Sequence, residues 1–325
     1  MYEIIDSAIG GYFELELCTG RAPHAGLIAL NSARNALVYL IKAKKIRAIN
    51  MPYLNCNAVA EAIKCFCPET SIHYYHVDSR FMPVLDDVPS GAPLFYVNYY
   101  GLQGHALRKL ENYHVILDNA QAFYAPPVPN GDTIYCPRKF FGVSDGGYLQ
   151  TNTKLDVPLE YDTSWDHAVH LLKRIDCGAS AAYDDFQTAE AALVGKPLMR
   201  MSRLTQRILS GIDHEAVKKT RRKNFVRLHQ LLGKQNGLFT LIEAVFESDS
   251  FVPLCYPYMC DDAESLRNQL IQNKIYIPIY WPELYDSPEL NDFERRFVRR
   301  IVCLPIDQRY GETDMEIIEQ HLKKV

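Results

Sequence analysis

Short uninterrupted apolar runs alternate with stretches of helical periodicity through the first half of the chain. Leu27 to Leu30 is a strand-like run leading into Asn31-Ser32-Ala33-Arg34-Asn35, after which Ala36, Leu37, Leu40 and Ile41 share one helical face. Ile46 to Met51 predicts a strand ended by Pro52, Ala58 to Cys65 a helix, and Ile72 to Val77 a further strand. A Pro/Gly-rich connection from Pro83 to Pro93 follows. Leu94 to Tyr99, Val115 to Leu117, Thr133 to Cys136 and Tyr148 to Thr151 complete the set of short apolar strands. Strands spaced by helical patterns predict βαβ units, hence an α/β fold whose large domain has a mainly parallel central sheet flanked by helices.

The pattern from Asp156 to Arg207 is helical, most clearly at Ala179 to Leu193 and Met199 to Leu209. Beyond Leu238, strand-like runs (Phe239 to Ile242, Val252 to Cys255) alternate with helices (Ala263 to Gln272, Met315 to Lys324). This predicts a smaller α+β C-terminal domain, with residues 1–212 forming the large domain and 213–325 the smaller one. No internal repeat and no low-complexity segment interrupts the pattern.

At 325 residues the chain has ample length for two such domains. A net charge of -4 carries no general affinity for polyanions, so nucleic acid is not an expected partner. The start, Met1 to Asp6, lacks a basic region followed by an apolar one, and no apolar run approaches bilayer-spanning length. Neither a signal peptide nor a membrane partner is expected. Nine cysteines are scattered without any C-x-x-C pair, which points to reduced thiols in a cytoplasmic setting and argues against a metal site. Lys218 to Lys223 is strongly basic, but Phe225, Leu228 and Leu231 continue a helical apolar stripe through it. A solvated helix face explains it better than a phosphate patch.

Two segments carry the chemistry. Val115-Ile116-Leu117-Asp118-Asn119-Ala120-Gln121 reads as a buried strand delivering a carboxylate at its end, where ligand groups gather in open α/β sheets. Tyr135-Cys136-Pro137-Arg138-Lys139-Phe140-Phe141-Gly142 then delivers a lysine into a loop closed by Gly146-Gly147. A carboxylate beneath a pyridinium nitrogen and a lysine able to form an imine are the two groups that pyridoxal 5'-phosphate (PLP) chemistry requires. Burial of Lys139 between Arg138 and two phenylalanines would favour its uncharged, nucleophilic form. The alternatives stand beside these readings: a surface loop lysine at Lys139, and a helix cap at Asp118. Gln121 would reach the phenolic oxygen of a bound cofactor. Asn31 to Asn35, just before a helix, suits a phosphate through free N–H groups, the Ser32 hydroxyl and the Arg34 guanidinium, or is a plain N-cap.

Taken together these segments resemble the DegT/StrS family of PLP-dependent sugar aminotransferases, of the aspartate aminotransferase fold (fold type I). The family's Ser-Gly-Thr turn is matched by Ser32-Ala33-Arg34, its Pro and following helix start by Pro52-Tyr53-Leu54-Asn55-Cys56, and its His-Leu-Tyr-Gly strand end by Asn98-Tyr99-Tyr100-Gly101. Its Glu-Asp-Ala-Ala-Gln corresponds to Leu117-Asp118-Asn119-Ala120-Gln121, and its cofactor lysine with Gly-Gly to Lys139 with Gly146-Gly147. Arg200-Met201-Ser202 and Cys303-Leu304-Pro305-Ile306 extend the likeness almost end to end.

The resemblance implies a homodimer with active sites at the subunit interface. It implies an aminotransferase that moves an amino group from an amino acid, typically glutamate, to a keto group on a sugar or nucleotide-linked sugar. Lys139 would hold the cofactor as an internal aldimine and then shuttle a proton. Related dehydratases carry histidine at the lysine position, so Lys139 argues against that branch. Tyr99, Tyr100 and Trp281, with Tyr285, are candidates for lining the substrate pocket, and Ile277 to Pro282 looks like the family segment that swings toward substrate. Tyr280 within it reads better as core.

The departures are specific. Cys56 stands where the family places the aromatic that stacks on the cofactor ring, with Tyr53 a possible substitute. Ala33 replaces the glycine of the phosphate turn, and Leu198 replaces an asparagine that reaches across the dimer. The serine expected before the lysine is lost near Tyr135 or Cys136. The chain therefore reads as a divergent branch in which Arg34 supplies charge to an altered phosphate cup. The alternatives are a non-catalytic or regulatory protein retaining the fold, or a PLP-dependent lyase using the same imine.

Overall fold

A computed structural model of the chain describes residues 9–86, 88–247 and 251–322. Its centre is a seven-stranded sheet in the order β1-β7-β6-β5-β4-β2-β3. The strands are β1 (Ile28–Leu30), β2 (Ala48–Pro52), β3 (Ser71–Tyr75), β4 (Leu94–Val97), β5 (Val115–Asn119), β6 (Asp132–Tyr135) and β7 (Gly147–Gln150). Strands β3, β2, β4, β5 and β6 run parallel; β7 is antiparallel to both β6 and β1. Every residue of β4, β5 and β6 is buried, as a parallel sheet covered on both faces requires, whereas the edge strand β3 exposes Ser71, His73 and Tyr74. Each fully buried aliphatic side chain of these strands contributes about 1.5–3 kcal/mol.

Helices α1 (Ala33–Lys44) and α2 (Asn57–Phe66) follow β1 and β2. Ser32 caps α1 by accepting the Asn35 N–H at 3.0 Å, and Lys45 ends it in the left-handed region at φ 53°. Chain order along the sheet reverses between β2 and β4, so a crevice opens at their carboxyl ends. The loops after β2 and β4, and the end of β5, all converge there.

The later helices are α3 (Val169–Ala181), α4 (Tyr183–Ala191), α5 (Arg203–Ser210), α6 (His214–Leu232), α7 (Phe239–Glu243), α8 (Ala263–Gln272), α9 (Asp292–Arg300) and α10 (Glu312–Leu322). Strands β8 (Tyr256–Met259) and β9 (Ile301–Leu304) form a separate antiparallel pair. On α6, Phe225 and Leu228 are buried beneath the basic stretch. No helix among the described residues is long and apolar enough to cross a membrane.

Five expectations are corrected. Residues 156–164 are not helical, and 165–167 form only a 3₁₀ turn. The stretch read as one helix from Ala179 is divided at Ala182 between α3 and α4, with Gly178 at φ 83° just before. Met199 to Ser202 is extended, because its backbone pairs along β1: Asn31 N–H donates to the Met199 carbonyl and Met201 N–H to the Ala29 carbonyl. The helix begins only after Ser202, whose side chain caps Thr205. In the C-terminal part, Phe239 to Ile242 is helical, since Leu238, Ile242 and Val245 are buried at helical spacing, a period invisible in a four-residue window. Val252 to Cys255 is not a strand; the ladder starts one residue later at Tyr256. Residues 323–325 of the predicted last helix lie outside the described residues.

Candidate active site

Asp118 is the fourth residue of β5 and is buried between Val97 of β4 and Ile134 of β6. Its Oδ1 accepts the Ala120 N–H at 2.8 Å, which makes it the cap of a turn and not of a helix. Its Oδ2 has no hydrogen-bond partner among the described residues, and no lysine, arginine or histidine there lies within 4.0 Å of it. Burial pushes its pKa up, while the Lys139 charge and the Ala120 N–H pull it down.

Lys139 ends the 3₁₀ turn Pro137–Lys139 that follows β6. Of the two readings of Lys139, the structure shows the surface one: the side chain is exposed, because the loop presents it outward while Phe140 and Phe141 turn into a core with Phe123, Tyr135 and Tyr148. Lys139 Nζ lies 5.7 Å from the ring centre of Tyr280. The aromatic read as core is therefore the one beside the lysine, and it is only half-buried. Tyr99, Tyr100 and Trp281, read as pocket lining, are instead packed in the core. Tyr99 donates its hydroxyl to the Leu54 carbonyl at 2.7 Å, and Trp281 sits edge-on to it at 6.0 Å between ring centres. Tyr100 holds a left-handed backbone at φ 56°, and its N–H donates to Gln121 Oε1 at 2.8 Å. That bond commits the oxygen of the buried Gln121 amide and leaves its nitrogen as the donor.

The loop bearing Lys139 returns to the start of α1. Gly146, at φ 123°, bridges to Ser32, and a Cβ on Gly147 would lie 2.4 Å from the Ser32 carbonyl carbon and oxygen and 2.5 Å from Ala33 N. Only glycine permits this approach. With Ser32 committed to Asn35, the N–H groups of Ala33 and Arg34 are left without intrahelical partners at the positive end of α1. Asn31 and Asn35 brace the turn: Asn35 Nδ2 donates to Asn31 Oδ1 at 2.7 Å, and Asn31 Nδ2 to Asp162 at 3.0 Å. The half-buried Arg34 lines a cavity of about 120 Å³ with Glu61 of α2 and Lys196, and neither Asp118 nor Lys139 lines it.

Cys56, exposed, stands at the N-cap of α2. The adjoining Asn57 N–H donates to Glu283 at 3.2 Å, so the 280–283 segment runs from Lys139 to this helix end. Tyr53 is turned away to the edge of the sheet, stacked on Tyr74 and His76 at 5.0 and 4.7 Å. All nine cysteines are free thiols.

Two contributors were missed by sequence reasoning. Asp145, just before the Gly-Gly pair, accepts from Ser202 N and Oγ at 2.8 and 2.7 Å and from the Thr205 hydroxyl, tying the lysine loop to α5. Its place beside the glycines and the Arg-Met-Ser motif was the available signal. Arg221, read as part of a solvated face, is buried and donates to the carbonyl of Phe140.

These residues fit PLP. A buried carboxylate without a cation partner suits a pyridinium N–H, an oriented amide nitrogen suits a phenolate, and a helix start closed on by Gly147 suits a phosphate.

No protein-family model matches the chain, and no curated protein matches it. Solved structures do. A DegT DnrJ EryC1 StrS aminotransferase from Brucella abortus is 16% identical, with a TM-score of 0.56 over 93% of this chain and 86% of its own. NtdA from Bacillus subtilis, solved with bound cofactor PMP, is 14% identical at TM-score 0.60, over 91% of this chain and 73% of its own. The putative sugar aminotransferase Spr1654 from Streptococcus pneumoniae, in its PLP form, is 11% identical at TM-score 0.59, over 96% and 98%. At such identities the likeness shows a shared fold, and the chain has the fold of these aminotransferases.

Proposed function

We propose that the chain is a PLP-dependent aminotransferase, a divergent DegT/StrS-like member. It moves an amino group from an amino acid, with glutamate the first candidate donor, to a keto group of a sugar or nucleotide-linked sugar. The observation that carries this reading is the Asp118 carboxylate, buried without a cation of its own at the end of β5, under the field of Lys139 on the next loop.

When bound, PLP supplies an electron sink for a carbanion at the substrate carbon. Asp118 keeps the ring nitrogen protonated, and Gln121 donates Nε2 to the phenolic oxygen. Ser32 and the first-turn N–H groups of Ala33 and Arg34 hold the phosphate, the Arg34 guanidinium adding charge where Leu198 adds none. Lys139 would be the residue that holds the cofactor through its Nζ, and the same amine would move the proton at the substrate carbon. Cys56 would flank the ring in place of the family aromatic, since Tyr53 is stacked away on Tyr74 and His76, and Tyr280 would extend the substrate side. Residues 1–212 act as the cofactor-binding domain and 213–325 as the smaller one.

The working form is a homodimer. Helix α3 buries none of its residues, and Trp165, Leu172 and Ile175 stand 73%, 56% and 81% exposed, an apolar face that a second copy would cover.

Incubation with PLP followed by borohydride reduction and peptide mapping tests the proposal. The expected result is a lysine-linked absorbance band and a tag on Lys139, both absent in Lys139→Ala, with glutamate bleaching the band. A wild-type protein that binds no PLP would instead favour a non-catalytic role.

A further inference from the structure

The mechanism makes no use of Arg221, a guanidinium on α6 that is only 2% exposed. Its nitrogens are spent on neutral partners. Nε donates to Gln308 Oε1 at 3.0 Å, Nη1 to the Leu254 and Pro253 carbonyls at 3.0 and 3.4 Å, and Nη2 to the Phe140 carbonyl at 3.4 Å. The guanidinium also lies 4.4 Å from the centre of the Phe140 ring. Gln308 Nε2 reaches the same Phe140 carbonyl at 2.8 Å. Among the described residues no carboxylate pairs with Arg221; the nearby Asp307 is held by Arg309 at 2.7 Å. A buried cation without a paired anion is unfavourable, and an apolar residue of similar volume would pack more cheaply.

What the arrangement achieves is local. Phe140 is the residue after Lys139, and Leu254 is the residue before Cys255, whose buried thiol feels the charges of both Lys139 and Arg221. One planar fork thus grips the two backbone segments that meet at the lysine, one from each half of the chain. A lysine could supply the charge, but its three donors sit on one nitrogen and cannot span acceptors on both segments as the planar fork does.

We propose that Arg221, seconded by Gln308, is a positioning residue that fixes the Phe140 carbonyl and thereby the peptide from which Lys139 reaches its target. The inference rests on the reading of Lys139 as the cofactor amine.

The test compares wild type with Arg221→Met, Arg221→Lys and Gln308→Leu. In the cofactor-free proteins, hydrogen–deuterium exchange of peptides spanning 137–143 should quicken by about tenfold or more in Arg221→Met, with β4 and β5 unchanged and Arg221→Lys intermediate. With PLP loaded and glutamate as donor, the maximal single-turnover rate should fall by about tenfold while the apparent glutamate affinity stays within about twofold. Should Arg221→Met fail to fold, the half-buried Gln308→Leu carries the same expectations. A folded variant with unchanged exchange at 137–143 and an unchanged rate overturns the inference. Failure of wild-type Lys139 to take up PLP overturns the underlying reading instead, and the exchange measurement still decides whether Arg221 holds the loop.

Discussion

The Asp118 carboxyl and the Lys139 ammonium share a field across the carboxyl ends of β5 and β6 without forming an ion pair. Burial raises the Asp118 pKa; Lys139 is the largest influence pulling it back, ahead of the Ala120 N–H. The two charges are near enough to act on one another and too far apart to neutralise one another, since no contact within 4.0 Å joins them. A ligand presenting a cationic N–H at one end and an electrophilic carbon at the other would satisfy both.

A pH dependence follows from that relationship. A carboxyl raised above its ordinary value protonates at a higher pH than a free aspartate, and a neutral acid cannot retain a ring N–H⁺. PLP affinity should be full above the raised pKa of the cofactor-free protein and fall as pH drops through it. Folding stability of the cofactor-free chain has the opposite sign. The folded state binds this proton more tightly than the unfolded one, so the contribution of Asp118 is greatest below the unfolded pKa and declines as pH rises through the folded one. Equilibrium dialysis from pH 7 downward should show the affinity loss in wild type. Asp118→Asn should bind more weakly by about 10- to 150-fold at neutral pH and without this pH dependence, from the ~1.5–3 kcal/mol of a charge-assisted hydrogen bond. A flat wild-type profile contradicts the assignment of Asp118.

Gly147 and Gly142 make a matched pair on the lysine loop. A methyl at Gly147 would meet backbone atoms of Ser32 and Ala33 at 2.4–2.5 Å, whereas one at Gly142 would meet only Leu171 Cδ2, at 3.4 Å. Gly147→Ala must therefore displace the start of α1, where the phosphate is expected. It should weaken PLP binding by more than about tenfold, equivalent to about 1.4 kcal/mol, while Gly142→Ala leaves binding unchanged. Equal effects from both substitutions would place the phosphate elsewhere.

The exposed face of α3 gives a third expectation. Leu172→Glu with Ile175→Asp removes apolar surface that no described residue covers, so the isolated chain should stay folded. The variant should run as a monomer in light-scattering chromatography where wild type runs as a dimer. Because the active site is expected at the interface, PLP occupancy should fall with it. A wild type that is already monomeric removes this face from consideration.

Strands β2, β4, β5 and β6 were legible because buried parallel strands are largely apolar runs, and Asp118 stood out as a charge at the end of one of them. The exposure of Lys139 was not legible. The phenylalanines beside it suggested burial, but in a loop they can turn inward while the lysine turns out. Met199 to Ser202 has a helical pattern yet is extended, since its partner strand β1 lies far away in sequence. Arg221 was hidden for a related reason. A basic run on a helix looks uniformly solvated until the 3.6-residue turn carries one member beneath Phe140.

Cys56 offers the sharpest test of where the cofactor ring lies. The resemblance places a stacking aromatic at this position, and the structure puts an exposed thiol there, at the N-cap of α2. Exposure means that a larger side chain can be accommodated without displacing core atoms, and the adjoining Asn57–Glu283 bond uses backbone that the substitution leaves intact. An offset-stacked ring pair contributes about 0.5–1.5 kcal/mol beyond the area it buries, so Cys56→Phe should tighten PLP binding by roughly 2- to 13-fold. Cys56→Ala removes little contact area and should change affinity by less than about twofold. Tyr53→Ala separates the two candidate flanking groups: its ring is stacked on Tyr74 and His76, so its loss should lower the melting temperature and leave PLP affinity unaltered. If instead Tyr53→Ala weakens PLP binding and Cys56→Phe does nothing, the ring lies against the edge of the sheet and not beneath the start of α2.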